Sequence, residues 1–411
     1  MIENIDKMNG WSIEELPNLV FFQEGPGVRN NQYTDSGVKL LNVANLKDGN
    51  VYLDNTDRYI SEEEAYGKYS HFLVDEGDLI IASSGIKVEY FDKKMGFAKK
   101  EHLPLCMNTS TIRFKTLDDN ILDIEYFAYF LKTNYFKKQI SRLITGSAQL
   151  NFGPSHLKQI KVILPPIETQ KKIVEVLDKA QELIDKRKEQ IEALDELVKS
   201  RFIEMFGNPF IDEKNFGMRK LGEVTIVNPK KAEVKELDDK LNVSFVPMEK
   251  VGEKGEFNSE ISKTIKELYS GFTYFRENDV LFAKITPCME NGKGAVATNL
   301  INGIGFGSTE FHVIRPIIEK SNPYWIYHLS TLIEFRRLAE RKMTGSAGQK
   351  RVPTDFINNL KVVLPPIELQ NQFADFVNQV DKLKSQMETS LKELEDNFNS
   401  LMQKAFKGEL F

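Results

Sequence analysis

The chain has 411 residues, of which 41% are hydrophobic, and a formal net charge of −5. This length exceeds what one hydrophobic core usually serves, so we expect several folded units. No apolar run approaches the roughly 18 residues of a membrane span, and the N-terminus has no apolar signal core, so we expect a cytoplasmic chain without membrane contact.

The N-terminal 163 residues predict short strands bounded by turn residues, followed by one helix rich in aromatic residues. A basic stretch then leads to Thr145-Gly-Ser-Ala148. Strands mixed with a few helices indicate an α+β domain. The predicted elements, in chain order, are strands at 38–43, 77–82 and 111–114 and a helix at 126–131.

The same pattern recurs from residue 209 to residue 363, with strands at 243–248, 278–283 and 310–314 and a helix at 324–329. The two copies are most alike where TGSA-QLNFGPSHLKQIKVILPPIETQ (145–170) matches TGSAGQKRVPTDFINNLKVVLPPIELQ (344–370). Such a duplication predicts two similar modules that face one extended target.

A long helix is predicted after each Pro-Pro pair, over 168–206 and 368–406. Apolar residues there step by four and three, which is typical of a coiled coil, and the stepping in the first helix continues to Arg201 and Met205. Gly207 and Gly408 mark the ends. We expect the two helices to pack antiparallel within the chain. The predicted seam consists of Ile173, Leu177, Ala180, Ile184, Ile191, Leu194, Val198, Phe373, Val377, Val380, Met387, Leu391, Leu394, Phe398 and Leu401.

Motifs for catalysis are missing from the sequence. It has no GxxxxGK[ST] loop, and the glycine-rich run 303–307 leads into a strand, without the helix N-terminus that phosphate loops use. The two cysteines and five scattered histidines show no metal-ligand spacing. We therefore expect no catalytic residue, no metal and no cofactor in this chain.

Recognition is better supported, first by the loop 283–294, AKITPCMENGKG. Lysine, asparagine and glutamate side chains can read guanine, adenine and cytosine edges, respectively. The corresponding segment of the first copy, 82–87, is shorter and different, as two unlike half-sites would require. An ordinary solvated loop is the alternative.

Basic residues flank both TGSA segments, where glycine and hydroxyl groups could help them to contact phosphates. A solvated helix end with a glycine cap is the alternative. The net charge does not oppose DNA binding, because the whole −5 lies in segments 166–207 and 366–411 and the remainder is neutral.

The order TGSA, LPPIE and coiled-coil helix, present twice, together with the stretch FAKITPCMENGKGA (282–295), resembles the DNA-specificity subunit of type I restriction-modification systems. The resemblance covers nearly the whole chain. It implies two similar target recognition domains, 1–163 and 209–363, separated by the helical segments 164–208 and 364–411. In the first domain Ser83-Ser-Gly-Ile-Lys87 replaces the TPCMENGKG loop, which departs from the family's pattern.

The resemblance also implies the function. Each domain would read half of a bipartite double-stranded DNA site, and the coiled coil would set the spacer. The chain itself would not be catalytic. Two adenine methyltransferase subunits and the restriction subunits would be its partners, with S-adenosylmethionine, ATP and Mg on those partners. The alternative is a non-catalytic coiled-coil scaffold with two protein-binding modules.

We expect the DNA contacts to come from the two loops, the small-polar turns and the TGSA segments. The candidate residues are Ser83, Ser84, Lys87, Asn108, Thr109, Ser110, Arg142, Thr145, Gly146, Ser147, Gln149, Lys284, Thr286, Glu290, Asn291, Lys293, Ser308, Thr309, Lys342, Thr344, Gly345, Ser346, Gln349, Lys350 and Arg351.

Overall fold

A computed structural model of the chain describes residues 10–54, 56–144, 150–346 and 348–411. Contacts divide the chain into two compact units: unit 1 contains the residues up to Lys186 together with Leu391–Phe411, and unit 2 contains Arg187–Ser390. Each unit combines short strands, short helices and half of each long helix. The α+β prediction is confirmed.

Unit 1 is built around a four-stranded antiparallel sheet in the order β2-β11-β7-β9 and a three-stranded sheet in the order β10-β3-β6. In the latter, β10 and β3 are parallel. The strands are β1 Ser12–Glu15, β2 Val20–Glu24, β3 Val38–Leu41, β4 Leu46–Lys47, β5 Asn50–Val51, β6 Tyr59–Ile60, β7 Leu79–Ala82, β8 Ser84–Ile86, β9 Met95–Phe97, β10 Leu105–Met107, β11 Thr111–Thr116, β12 Leu150–Asn151 and β13 Lys161–Leu164. The helices that begin in unit 1 are α1 Glu62–Tyr66, α2 Ile124–Lys132, α3 Asn134–Leu143, α4 Pro154–Leu157 and the long α5 Ile167–Phe206.

Unit 2 has the corresponding four-stranded sheet, β15-β22-β19-β20, and a second sheet in the order β17-β16-β21-β18, in which β16 and β21 are parallel. The strands are β14 Met218–Lys220, β15 Thr225–Val227, β16 Asn242–Val246, β17 Ser262–Thr264, β18 Thr273–Arg276, β19 Val280–Ala283, β20 Gly294–Val296, β21 Ile304–Gly307, β22 Phe311–Pro316 and β23 Lys361–Val363. The helices that begin in unit 2 are α6 Leu221–Val224, α7 Ile265–Leu268, α8 Pro323–Thr331, α9 Ile333–Glu340, α10 Thr354–Asn359 and the long α11 Ile367–Ala405.

In each copy the first strand pairs antiparallel with the last one: β1 pairs with β13, and β14 pairs with β23. The glycine-rich run 303–307 is mostly the buried strand β21. A Cβ atom on Gly305 would come within 2.2 Å of the Phe275 ring, so glycine here permits close packing.

The two long helices pack together and antiparallel, as contacts within each unit demonstrate. In unit 2 Phe373, near the start of α11, meets Phe206 at the end of α5, with ring centroids 5.3 Å apart. In unit 1 the start of α5 (Ile173) shares one core with Phe406, just beyond the end of α11. The ion pair between Lys384 and Asp195 joins the helices within unit 2 at 2.6 Å.

The structure places every residue of the predicted seam in a buried or half-buried position. The continuation of the stepping to Arg201 and Met205 is different. Phe202 and Phe206 are the buried residues of the last two turns, at 1% and 2% exposure, whereas Arg201 forms an ion pair with Glu204. The two phenylalanines thus supplement the heptad positions. Met205 is half-buried against the core of unit 2, and the Arg201 guanidinium lies 5.8 Å from the ring centroid of Phe376 in α11.

Within the described residues, no helix is both long enough and apolar enough to cross a membrane.

Candidate nucleic-acid interface

Two of the predicted recognition segments of unit 2 lie side by side. The Thr286 amide donates to the Lys350 carbonyl oxygen at 3.1 Å, and the Val352 amide donates to the Lys284 carbonyl oxygen at 2.9 Å. These bonds join the loop after β19 to the segment after TGSA. Residues that are more than 60 positions apart in the sequence thus form one surface.

The third segment, the turn 308–310, contacts both of the others through Glu310. The Lys284 amide donates to the Glu310 carbonyl oxygen at 2.9 Å. The Arg351 guanidinium donates two hydrogen bonds to the Glu310 carboxylate, at 2.9 and 2.8 Å. These bonds hold the pKa of Glu310 below its usual value, while burial lowers the pKa of Lys284. Bidentate pairing of this kind fixes the orientation of a guanidinium.

The second TGSA segment forms a small hairpin-like loop. The amides of Thr344 and Arg351 donate to each other's carbonyl oxygens, at 3.0 and 2.8 Å. Gly345 has φ +125°, and a Cβ there would come within 2.8 Å of the Gln349 carbonyl oxygen, so the turn requires glycine. Ser346, Gln349 and Lys350 are exposed along the loop, and Lys342 is exposed just before it.

The loop 284–293 presents its polar side chains from one tight turn. Four backbone amides of this loop donate to carbonyl oxygens three to five residues earlier in the chain; they are those of Met289, Asn291, Gly292 and Lys293. Met289 is fully buried and anchors the turn, whereas Glu290 and Asn291 are exposed and Lys293 is half-buried. The Thr286 hydroxyl donates to the Glu290 carboxylate at 2.8 Å. A carboxylate and an amide on one rigid turn can accept from and donate to base edges.

A buried histidine supports this surface from inside. The Nε2 atom of His312 lies 2.7 Å from the Val352 carbonyl oxygen, and Nδ1 lies next to the Asn228 side chain. Burial lowers the pKa of His312, so the ring is neutral near pH 7 and Nε2 is the donor.

Unit 1 builds the equivalent surface with different residues. Strand β8 pairs antiparallel with β12, the segment that follows the first TGSA. The Phe152 amide donates to the Ser83 carbonyl oxygen at 2.9 Å, and the Ser83 amide donates to the Ser110 carbonyl oxygen at 2.8 Å. The loop after β7, the turn 108–110 and the segment after TGSA therefore meet, as in unit 2. Thr145, Gly146, Ser147 and Gln149 lie outside the described residues.

The candidate residues of unit 1 differ in their exposure. Ser83 and Asn108 are buried, at 1% and 2% exposure. The Asn108 Oδ1 atom accepts from the amides of Val28 and Thr109, at 3.1 and 2.8 Å, so this side chain holds the turn in place. Lys87, Thr109 and Arg142 are exposed, and Ser84 and Ser110 are half-buried.

Sequence reasoning missed Glu310, although this residue connects the three segments of unit 2. The signal available was an acidic residue directly after the small-polar turn Gly307-Ser-Thr309, between segments rich in basic residues. In the turn itself, Ser308 Oγ accepts from the Glu310 amide at 3.2 Å, and Thr309 is exposed. In the part of the chain that the structure describes, no group of three or more His, Cys, Asp or Glu side chains is placed to hold a metal ion.

The sequence model of one family, described as the type I restriction modification DNA specificity domain, matches the chain twice, at residues 10–194 and 213–396. The chain belongs to this family. The resemblance found in the repeated motifs is confirmed. The two matches correspond to the two copies of the sequence repeat, so this DNA specificity family accounts for the duplicated architecture.

Individual members give the degree of similarity. The specificity subunit of the type I restriction enzyme EcoAI from Escherichia coli is 38% identical over 177 residues, which cover 42% of this chain and 29% of the relative. The EcoEI specificity subunit, also from Escherichia coli, is 36% identical over 192 residues, which cover 44% of this chain and 32% of the relative. These alignments thus span about a third of each relative's length.

A solved structure shares the fold over the full length. A chain from a study titled as the structural basis of complex assembly and conformational transition of the type I R-M system superimposes with a TM-score of 0.60. The match has 15% sequence identity and covers 98% of this chain and 99% of that one.

Proposed function

We propose that this chain is the DNA-specificity subunit of a type I restriction-modification complex and that it binds double-stranded DNA at a bipartite sequence. The observation that carries the proposal is the repeated surface: in each unit the segment after TGSA pairs with the loop after the central strand β7 or β19. One architecture with different side chains is what two different half-sites require. The chain would be non-catalytic, and its recognition domains would be 1–163 and 209–363.

In the domain of unit 2, exposed Lys342 and Lys350 would contact phosphates, because ammonium groups supply affinity without reading sequence. Glu290, Asn291 and Lys293 would read base edges. In the domain of unit 1, Lys87, Thr109 and Arg142 are the exposed candidates. The buried Ser83 and Asn108 would act only by holding their loops.

The helices would set the number of unread base pairs between the half-sites. Helix α5 is continuous over 40 residues, which corresponds to about 60 Å at 1.5 Å per residue. It packs against α11 at both of its ends. Such a pair is stiff, so a definite spacer length would be preferred over a range of lengths.

The partners proposed are those of a type I complex. The E. coli relatives are named as specificity subunits of restriction enzymes, and the solved structure is titled for complex assembly. Two adenine methyltransferase subunits would bind the duplicated chain, because a repeated surface offers equivalent sites to two copies of one partner. Restriction subunits would join them, and S-adenosylmethionine, ATP and Mg would be bound by those partners.

The test is selection from a random double-stranded DNA pool by the full chain, alone and together with its proposed adenine methyltransferase partner. We expect two short fixed motifs separated by a constant number of unspecified base pairs, with an affinity that falls steeply with salt. A pool without any enriched sequence in either condition would contradict the proposal and favour a coiled-coil scaffold with two protein-binding modules.

A further inference from the structure

We propose that Arg336 is a positioning residue that sets which bases the second recognition domain accepts, by fixing the tip of the loop 284–293. The inference rests on the proposed function, because it concerns how the same surface reads DNA. Arg336 lies in α9, outside the recognition segments, and would contact no base itself.

The Arg336 guanidinium ties the two ends of the loop tip together. One Nη atom donates to the Met289 carbonyl oxygen, and the other donates to the Gly292 carbonyl oxygen at 3.0 Å. These two carbonyls flank Glu290 and Asn291, the exposed residues of the tip. The clamp therefore determines the direction in which both side chains leave the backbone.

The guanidinium is itself held rigidly. Its Nε atom donates to the Ser330 carbonyl oxygen at the end of α8, at 2.7 Å, and its carbon lies 5.0 Å from the centroid of the Phe282 ring. Only 8% of the residue is exposed. All three donor groups point at protein carbonyls, so this arginine is not available to a phosphate. A planar fork is needed to reach three such acceptors, and lysine cannot reproduce it.

Unit 1 also places a cation beside the corresponding turn, although this cation pairs with a side-chain carboxylate and not with backbone carbonyl oxygens. Lys137 occupies the position equivalent to Arg336, directly after the buried Phe136, and its ammonium pairs with Asp92 at 3.1 Å. Asp92 belongs to the 3-10 turn Val88–Lys93, which follows β8. A fully buried residue anchors each turn, Phe91 in unit 1 and Met289 in unit 2. Recurrence of an anchor and a cation at one place in both copies argues that they belong to the recognition device.

The test compares Arg336→Met, Arg336→Lys and the neighbouring Arg337→Met in the full chain, with its methyltransferase partner where binding requires it. Arg337 is exposed on the same helix and carries the same charge, so it is a matched control. The readout is the ratio of affinities for the selected site and for sites with one base changed in either half-site. In the wild type we expect that ratio to be roughly 5- to 150-fold.

For Arg336→Met we expect the ratio to fall below about 3-fold in one half-site only, with the other half-site unchanged. For Arg337→Met we expect both ratios to be kept, since removal of an exposed positive charge that reads no base weakens binding to all sequences alike. Arg336→Lys keeps the charge. We nevertheless expect the logarithm of its affinity ratio to be at most half of the wild-type value.

Several results would overturn the inference. Unchanged ratios in Arg336→Met, or a uniform loss of affinity with a shallower salt dependence, would make Arg336 structural or a phosphate contact. Loss of discrimination at both half-sites in Arg336→Met would indicate misfolding. In that case Arg336→Lys is the deciding variant, because affinity ratios equal to those of the wild type would exclude the clamp. A wild-type chain that selects no sequence would instead refute the proposed function.

Discussion

Gln170 and Gln370 occupy the same place in the two copies, two residues beyond LPPIE, and neither is exposed. The amide nitrogen of each donates to the carbonyl oxygen of the first proline of its Pro-Pro pair, at 2.8 Å. Each side-chain oxygen accepts from a backbone amide just before α2 or α8, that of Asp123 or Asn322, at 2.9 Å. The repeated glutamine thus fastens the first turn of each long helix to its domain.

We predict that Gln370→Ala lowers the free energy of unfolding by about 2–4 kcal/mol, because it leaves several buried backbone groups without partners. Urea unfolding of the full chain measures the loss. Gln372→Ala is the matched control, because the Gln372 side chain, two residues further along α11, is exposed. This variant should lower the free energy of unfolding by less than about 0.5 kcal/mol. Equal costs for the two variants would refute the role of Gln370 as a fastener.

His328 is a second residue whose environment leads to a prediction. Its ring packs against Phe373 at 5.2 Å and Tyr327 at 5.0 Å between centroids, and burial lowers its pKa to about 4. The unfolded chain has a histidine pKa near 6.5 and so binds more protons between these two values. The contribution of the uncharged His328 ring to stability is therefore complete above about pH 6.5 and is lost as the pH falls toward about 4.

We expect His328→Phe, which keeps an aromatic ring but does not titrate, to lose less stability than the wild type on acidification. The difference between the two proteins should grow by up to about 3 kcal/mol between pH 7 and pH 4. Urea unfolding at a series of pH values measures it, and carboxylates cancel because both proteins contain them. A difference that does not change with pH would contradict the burial of an uncharged ring.

At the scale of elements, the two long helices depend on their apolar seam. Leu194 is 9% exposed and belongs to the core of unit 2 together with Val377 and Val380 of α11. Leu197, three residues later on α5, is 46% exposed. The same residue type at a buried and at an exposed position of one helix separates the effect of the seam from the effect of helix propensity.

We predict that Leu194→Asp lowers the free energy of unfolding by at least about 3 kcal/mol, because it buries a charge among apolar side chains. Leu197→Asp should change it by less than about 0.5 kcal/mol. Circular dichroism during urea unfolding measures both. Comparable losses would mean that the helices do not use this face.

At the scale of the whole molecule, the duplicated domains should be exchangeable. We predict that replacing residues 209–363 with the corresponding segment of another family member changes one half-site of the selected DNA sequence and leaves the other intact. The reason is that each proposed recognition surface is formed within one unit. Selection from a random DNA pool measures the outcome, and a change in both half-sites would show that the domains read DNA jointly.

The second prediction at this scale concerns the spacer. Inserting seven residues in the middle of both α5 and α11 keeps the heptad register and lengthens the pair by about 10 Å. That length corresponds to about three base pairs at 3.4 Å each, so the preferred spacer should grow while both half-sites stay the same. Binding to sites with graded spacers measures it. An unchanged preference would mean that the helices do not determine the spacer.

The sequence by itself determined the duplication, the long helices and the α+β class, because each of them can be recognised from patterns in the sequence alone. A repeat with an offset of 200 is visible without coordinates, and a period of 3.5 specifies a helical seam from neighbouring residues alone. The seam pattern did not reveal that Phe202 and Phe206 are the most buried residues in the last turns of α5. They are buried in addition to the half-buried heptad position Met205, because that end also packs against the core of unit 2.

The recognition segments were predictable as candidates from their composition, but their arrangement was not. Only the tertiary structure decided that the loop 284–293 pairs with residues 350–352, that Arg351 binds Glu310, and that Arg336 clamps the loop tip. Those contacts join residues about 40 to 70 positions apart, and no local periodicity encodes them. The pairing of β19 with β22 places Ala283 next to Phe311, and so it brings the loop 284–293 beside Glu310.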